Sequence, residues 1–264
     1  MDRRIWNLSK MLTVFENSTG KPPEEFRLPS IENSQTSKTR EQIAEAFRST
    51  WPESTFYNFC NGNFMALSHG DESSVHPRSI VVVDNVFCIF IGNLENICDL
   101  RRHYGLCRLT TEAMLVIEVY KVLRDRAPYP ADQVIKDLVG KFALILFDAN
   151  SGTLFAARDK DGSVQFHWGT TADESLVCSE DPRIVSEACG TGRSCAFPPG
   201  CIFTNGSGLA SFDHPLNKVR AVAHEDDDGH ICAIIFKVDH YTRIPSIPRT
   251  GSSANWADAS MKQC

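Results

Sequence analysis

The chain has 264 residues, 42% of them apolar and 23% charged, with a formal net charge of −6. No apolar run approaches the ~20 residues a membrane-spanning helix needs, and an acidic balance argues against the basic field of a nucleic-acid binder. The length fits one or two domains at about 150 residues each.

The first apolar run, Met11-Leu12-Thr13-Val14-Phe15, reads as a strand after a loose extension over residues 1–10. Residues 16–38 are rich in Ser, Asn, Glu, Pro and Lys without periodicity and read as a loop. Thr39 and Gln42 form a capping box for a helix whose Ile43 and Phe47 share one face. Ile80 to Val83 and Val86 to Ile91 flank Asp84-Asn85, a two-residue hairpin turn. Both arms are apolar throughout, which predicts a sheet covered on both faces.

Helices are expected around 94–103 and 110–124, the second too apolar for a surface position. A second hairpin pairs 142–147 with 153–157 around Asn150-Ser151-Gly152. Short strands follow at 164–168, 175–179, 200–204, 208–212, 217–222 and 231–238. Strands, then helices, then strands again predict an α+β fold, as one compact domain. The run His224-Glu225-Asp226-Asp227-Asp228-Gly229-His230 looks metal-like, yet it falls between two strands and lacks calcium-loop spacing, so it reads as a turn.

The 10 cysteines contain no C-x-x-C pair, which excludes zinc-ribbon and thioredoxin patterns. Most sit in apolar runs, so reduced, mostly buried thiols are expected. Met1-Asp2-Arg3-Arg4 leads into no long apolar stretch, so no signal peptide is expected. The expected location is the cytoplasm, with the nucleus second.

Tyr104-Gly105-Leu106 and Leu123-Arg124-Asp125-Arg126 resemble the two motifs that define the plant aluminium-induced proteins with YGL and LRDR motifs. Ala127-Pro128-Tyr129-Pro130-Ala131-Asp132-Gln133-Val134 and the closing Ser246-Ile247-Pro248-Arg249 and Asn255-Trp256-Ala257 extend the likeness. That family in turn resembles the glutaminase domain of class II glutamine amidotransferases. The resemblance implies a four-layer αββα sandwich of the N-terminal nucleophile hydrolase type. It places the glutaminase-like domain at 11–240, with a closing segment and tail over 241–264. His76-Pro77-Arg78, Phe90-Ile91-Gly92-Asn93 and Leu138-Val139-Gly140-Lys141-Phe142-Ala143 are similar to that domain's substrate-binding segments. The implied substrate-binding residues are Arg78, Gly92 and Asn93.

The same resemblance implies that the chemistry is missing. The parent mechanism needs an N-terminal cysteine whose own α-amine moves the proton. Leu12 stands at that position, Ile91 at the oxyanion-donating asparagine and Val139 at the aspartate that anchors the substrate amine. Losing one oxyanion donor alone costs about 10²–10³ in rate. A route through Thr13 would need removal of everything before it. The bland readings are structural: Arg78 is a structural ion-pair partner as readily as a ligand clamp, Gly105 ends a helix in a left-handed conformation, Leu123-Arg124-Asp125-Arg126 forms an ion network at a helix C-terminus, and Gly92 serves backbone geometry.

The expectation is therefore a catalytically silent glutaminase-like module for sensing or interaction in plant stress and hormone responses. Arg78 is the candidate clamp for a small carboxylate or amino-acid ligand. A protein partner or a second copy is the other expected partner, with no cofactor or metal, no catalytic residue, no nucleic acid and no membrane span. The rivals are a hydrolase or amidotransferase with a non-standard nucleophile, and a purely structural protein with an empty pocket.

Overall fold

Alternating burial of successive side chains sorts the chain into layers. The computed structural model describes residues 9–27, 37–69, 76–126, 133–190, 192–213, 217–225 and 231–243. Its strands are β1 (Met11–Phe15), β2 (Ser54–Asn58), β3 (Phe64–Ser68), β4 (Arg78–Val83), β5 (Val86–Leu94), β6 (Gly140–Asp148) and β7 (Thr153–Arg158). They continue with β8 (His167–Thr170), β9 (Leu176–Ser179), β10 (Ser194–Ala196), β11 (Cys201–Thr204), β12 (Gly208–Ser211), β13 (Asn217–Glu225) and β14 (Ile231–Arg243). The helices are α1 (Asn17–Gly20), α2 (Arg40–Thr50), α3 (Ile97–His103), α4 (Glu112–Asp125), α5 (Gln133–Lys136) and α6 (Pro182–Cys189).

Two six-stranded sheets carry the fold, with orders β10-β8-β9-β1-β3-β2 and β12-β11-β7-β6-β5-β4, and β13 and β14 form a separate ribbon. Every pairing is antiparallel. Met11, Phe15, Ile89, Ile145 and Trp168 fill the space between the sheets. Leu12, Val14, Ile43, Phe47 and Val185 form a second layer, where α2 and α6 cover the first sheet. Val86, Phe90, Leu115, Val119 and Leu144 form a third, where α4 covers the second sheet. The layer order is αββα, as the resemblance implies.

The hairpin turn at Asp84-Asn85 has both residues at positive φ, 50° and 62°, which twists β4 and β5 into register. The Thr39–Gln42 capping box opens α2. Gly105 adopts φ 67°, Leu106 N–H donates to Arg101 C=O at 2.7 Å, and Leu106 packs back on the α4 layer. In the other motif, Arg124 reaches Asp148 at 3.1 Å, and Tyr120 OH donates to the same carboxylate oxygen at 2.9 Å. The other oxygen accepts from Asn150 N–H at 3.0 Å. This buried carboxylate fastens the end of α4 to the β6–β7 turn. Asp125 pairs with Arg124 at 2.9 Å on the surface.

Several expectations are corrected. The loop expected at 16–38 contains α1 and a 3-10 turn, Glu24–Arg27, which seats Phe26 against Trp168 at 5.2 Å. β2, β3, β10, α5 and α6 are not expected from the sequence. Met65-Ala66-Leu67 are good helix formers locally, and pairing of β3 with both β1 and β2 overrides that preference. The strand expected at 164–168 lies at His167–Thr170, because Arg158 fastens to Val164 and Gly162 carbonyls and holds 162–164 in a turn. Among the described cysteines, Cys88, Cys178, Cys189 and Cys201 are buried and Cys195 is half-buried, while Cys60, Cys98 and Cys107 are exposed, so the expected burial fails at those three. The exposed three sit on a 3-10 turn, on the solvent side of α3 and in the loop after it. The closing motif over 246–257, and residues 127–132 and 226–230, lie outside the described residues.

Replacing Asp148 by Ala leaves a buried tyrosine hydroxyl and an arginine without their shared partner. Urea unfolding should show a loss of roughly 3 kcal/mol. Asp125→Ala, at an exposed pair, should change stability by less than about 0.5 kcal/mol.

Candidate functional site

Arg78 opens β4 opposite Ile91 of β5. Ile80, two residues on, packs between the sheets, so the pleat turns Arg78 towards the same layer. Its side chain is 11% exposed, and Nε lies 3.4 Å from Oε1 of Glu180, the residue just after β9. Glu180 is 5% exposed, and its Oε2 accepts from the Met11 N–H at 3.0 Å. The Arg78–Glu180 contact is an ion pair without hydrogen-bond geometry. Burial accordingly pushes the Glu180 carboxyl above its usual range, against the pull of Arg78 and then Lys10.

Glu180 thus links β4 of one sheet to β1 of the other. Beside it, Lys10 Nζ meets Asp181 at 2.9 Å, and Arg183 meets the same carboxylate at 2.9 Å. Burial alone would raise Asp181, but hydrogen bonds from Arg183 and Lys10 outweigh it and hold the carboxyl well below its usual range.

The other candidate positions gather at the same end of the second sheet. Gly92 is buried at φ 110°, where an added Cβ would sit 1.9 Å from the Lys141 carbonyl oxygen, so its place is fixed by backbone packing. Asn93 is exposed and lies opposite Lys141. Val139 is 54% exposed, and its carbonyl accepts from the Glu95 N–H at 2.8 Å. Ile91 points into the packing between the sheets.

Leu12 follows Met11, whose N–H donates to Glu180, but its side chain faces the other side of the sheet. Its side chain joins the layer beneath α2 and α6, while Met11 and Phe15 point between the sheets. Leu12 pairs with Ala66 inside the ladder, and the chain before it is fastened by the Ser68 N–H donating to Lys10 C=O at 2.7 Å. Thr13 is fully buried between Met65 and Cys178. Burial pushes the thiols of Cys178, Cys195 and Cys201 up to about 12, which keeps them protonated at neutral pH. Among the described residues, no three potential metal ligands converge.

A cleft of about 280 Å³ opens on the outer side of the first sheet, between α2 and α6. Leu12, Ile43 and Phe47 line its apolar interior, and Lys10, Lys38, Asp181, Arg183 and Glu187 stand among its lining residues. Neither the cleft nor Glu180 is anticipated by sequence. The available signal was Asp181-Pro182, an N-cap followed by proline at the first helical position. It marks α6 but says nothing about what the helix covers.

Two outcomes follow. Gly92→Ala forces a left-handed alanine against backbone and should cost about 3 kcal/mol in urea unfolding. A raised carboxyl pKa favours the protonated form, so native stability tied to Glu180 is full below its ordinary value of 4.5 and is lost as pH rises through the raised value. The stability of Glu180→Gln relative to the natural chain should therefore improve from pH 4 to pH 8. A difference that moves the other way would assign dominance to the ion pair instead.

A family model described as "Aluminium induced protein" matches residues 12–238. The stem-specific protein TSJT1 of Nicotiana tabacum is 62% identical over 149 residues, covering 56% of this chain and 100% of the relative. Among solved structures, glutamine phosphoribosylpyrophosphate amidotransferase from B. subtilis is similar at 11% identity, with a TM-score of 0.44 over 76% of this chain and 48% of that one. The allosteric regulatory enzyme of purine biosynthesis gives 13% identity, with a TM-score of 0.44 and the same coverage. The chain thus spans about half the length of these two enzymes. A glutamine aminotransferase class-II domain protein from Silicibacter pomeroyi gives 12% identity and a TM-score of 0.41, over 77% of this chain and 97% of that one. With the family model matching residues 12–238, and every residue of the tobacco stem-specific protein covered, the chain belongs to the aluminium-induced protein family.

Proposed function

We propose that this protein is a catalytically silent member of the glutaminase-like fold, working as a ligand-sensing or interaction module rather than as an enzyme. The observation that carries the reading is the paired state of Arg78. Its guanidinium meets Glu180, an internal carboxylate, where the parent enzymes would hold the carboxylate of glutamine. With the clamp engaged from within, glutamine has no carboxylate site to enter. Leu12 adds support, being a hydrocarbon embedded in the ladder of β1. Ile91 and Val139 supply neither an oxyanion donor nor an anchor for an ammonium group. The names of the family and of its stem-specific relative suit a role in plant stress or hormone responses. The free thiols of the described cysteines suit a reducing compartment such as the cytoplasm.

The test is to incubate the full chain with glutamine, and separately with a glutamine-analogue alkylator, while following ammonia release and intact mass. The expected result is no ammonia above buffer and no covalent adduct. Leu12→Cys should stay equally inactive, since the introduced thiol points into the layer under α2 and α6 and lacks the α-amine. Sustained ammonia release, or a single adduct mapping to Thr13 or to a cysteine, would overturn the reading in favour of a hydrolase or amidotransferase with a non-standard nucleophile.

A further inference from the structure

The cleft between α2 and α6 is chemically unlike the Arg78 end of the sandwich. Its volume of about 280 Å³ is nearly twice the ~150 Å³ at which an apolar protein cavity holds benzene. Leu12 and Phe47 form its buried floor, while Trp51 and Ile184 are half-buried and present apolar surface to it, the Trp51 ring tilted 42° to Phe47 with centroids 4.7 Å apart. Such a surface suits a flat ring lying along the open side of Trp51.

The charges that line the cleft are unbalanced. Three cations, Lys10, Lys38 and Arg183, stand against two carboxylates, Asp181 and Glu187, leaving one positive charge in excess on a chain whose overall charge is −6. Asp181 is engaged twice, by Lys10 and by Arg183. Lys38 meets only the exposed Glu187 in this set, at 3.4 Å with side chains 37% and 71% exposed. An exposed pair of that length is worth little, so Lys38 can exchange it for another carboxylate at small cost.

We propose that this cleft binds a small aromatic monocarboxylic acid, with its ring against Trp51 and Ile184 and its carboxylate on Lys38. One excess cation matches one carboxylate. An α-amino acid would bring its ammonium among three cations, and the one buried carboxylate there is already shared by two of them. The cleft therefore selects against glutamine while accepting an acid of similar length without the amine. This deepens the non-catalytic reading by naming a ligand class, and it rests on that reading for the site's role, though not for binding itself.

The experiment uses the full-length chain and calorimetric titration with 3-phenylpropionate, its uncharged amide and glutamine, with ammonia release read in the glutamine samples. The acid should bind saturably, the amide at least about fivefold more weakly and glutamine not at all. Lys38→Ala removes an exposed side chain and should weaken the acid about five- to tenfold without lowering the melting temperature. Ala46→Trp, which fills the cleft from α2, should abolish binding; a normal circular dichroism spectrum shows that it folds. Equal binding of acid and amide, retained affinity in both variants, or no binding of the acid would overturn the proposal. Ammonia release from glutamine would instead sink the non-catalytic reading and leave the binding result standing.

Discussion

Burying a carboxylate beside an arginine between two sheets sets the conditions for everything at this end of the sandwich. Removing both charges from water is costly, and the attraction between them offsets that cost only when the geometry is good. Here Nε and Oε1 are 3.4 Å apart without hydrogen-bond alignment, and Glu180 takes its hydrogen bond from Met11 N–H instead. The group is therefore held more by the backbone of β1 than by its partner. That arrangement ties the start of β1 to Glu180 and leaves Lys10 to pair with Asp181 at the head of α6. The start of β1 and the start of α6 are thus tied to the same small ionic cluster. The cleft above Leu12 opens directly next to it.

Much of this was legible because it is local. A capping box, a two-residue turn with both residues at positive φ and a glycine past a helix end are each decided by a few neighbouring residues. Thr39–Gln42, Asp84-Asn85 and Gly105 appear as read. The family resemblance singled out Arg78, Ile91, Gly92, Asn93 and Val139 one by one, and the antiparallel pairing of β4, β5 and β6 brings them to one sheet end. What could not be read was pairing at long range. Met11 and Glu180 are 169 residues apart, and nothing near Glu180 announces an arginine from another sheet as its neighbour. The facing of Leu12 was equally hidden. Its run is apolar at every position but one, so no alternation reveals that odd residues point between the sheets and even ones towards α2 and α6.

The two motifs that mark the family work in the packing of the described fold. Gly105 and Leu106 terminate α3 and return the chain to the core. Arg124 anchors α4 to the β6–β7 turn through Asp148, which also takes the Tyr120 hydroxyl. At the sheet end, Ile91 lies in the packing between the sheets and Arg78 stands against Glu180, while Leu12 lies in the layer under α2 and α6. The cleft between α2 and α6 lies on the outer face of the first sheet, with Leu12 buried beneath it.

The account depends most on the internal carboxylate standing where a substrate carboxylate would stand. Calorimetric titration of glutamine into the full chain at pH 7 tests this directly, with Arg78→Ala as the control. The prediction is no saturable heat in either protein. Saturable glutamine binding that disappears in Arg78→Ala would show the clamp open to outside ligands and contradict the account.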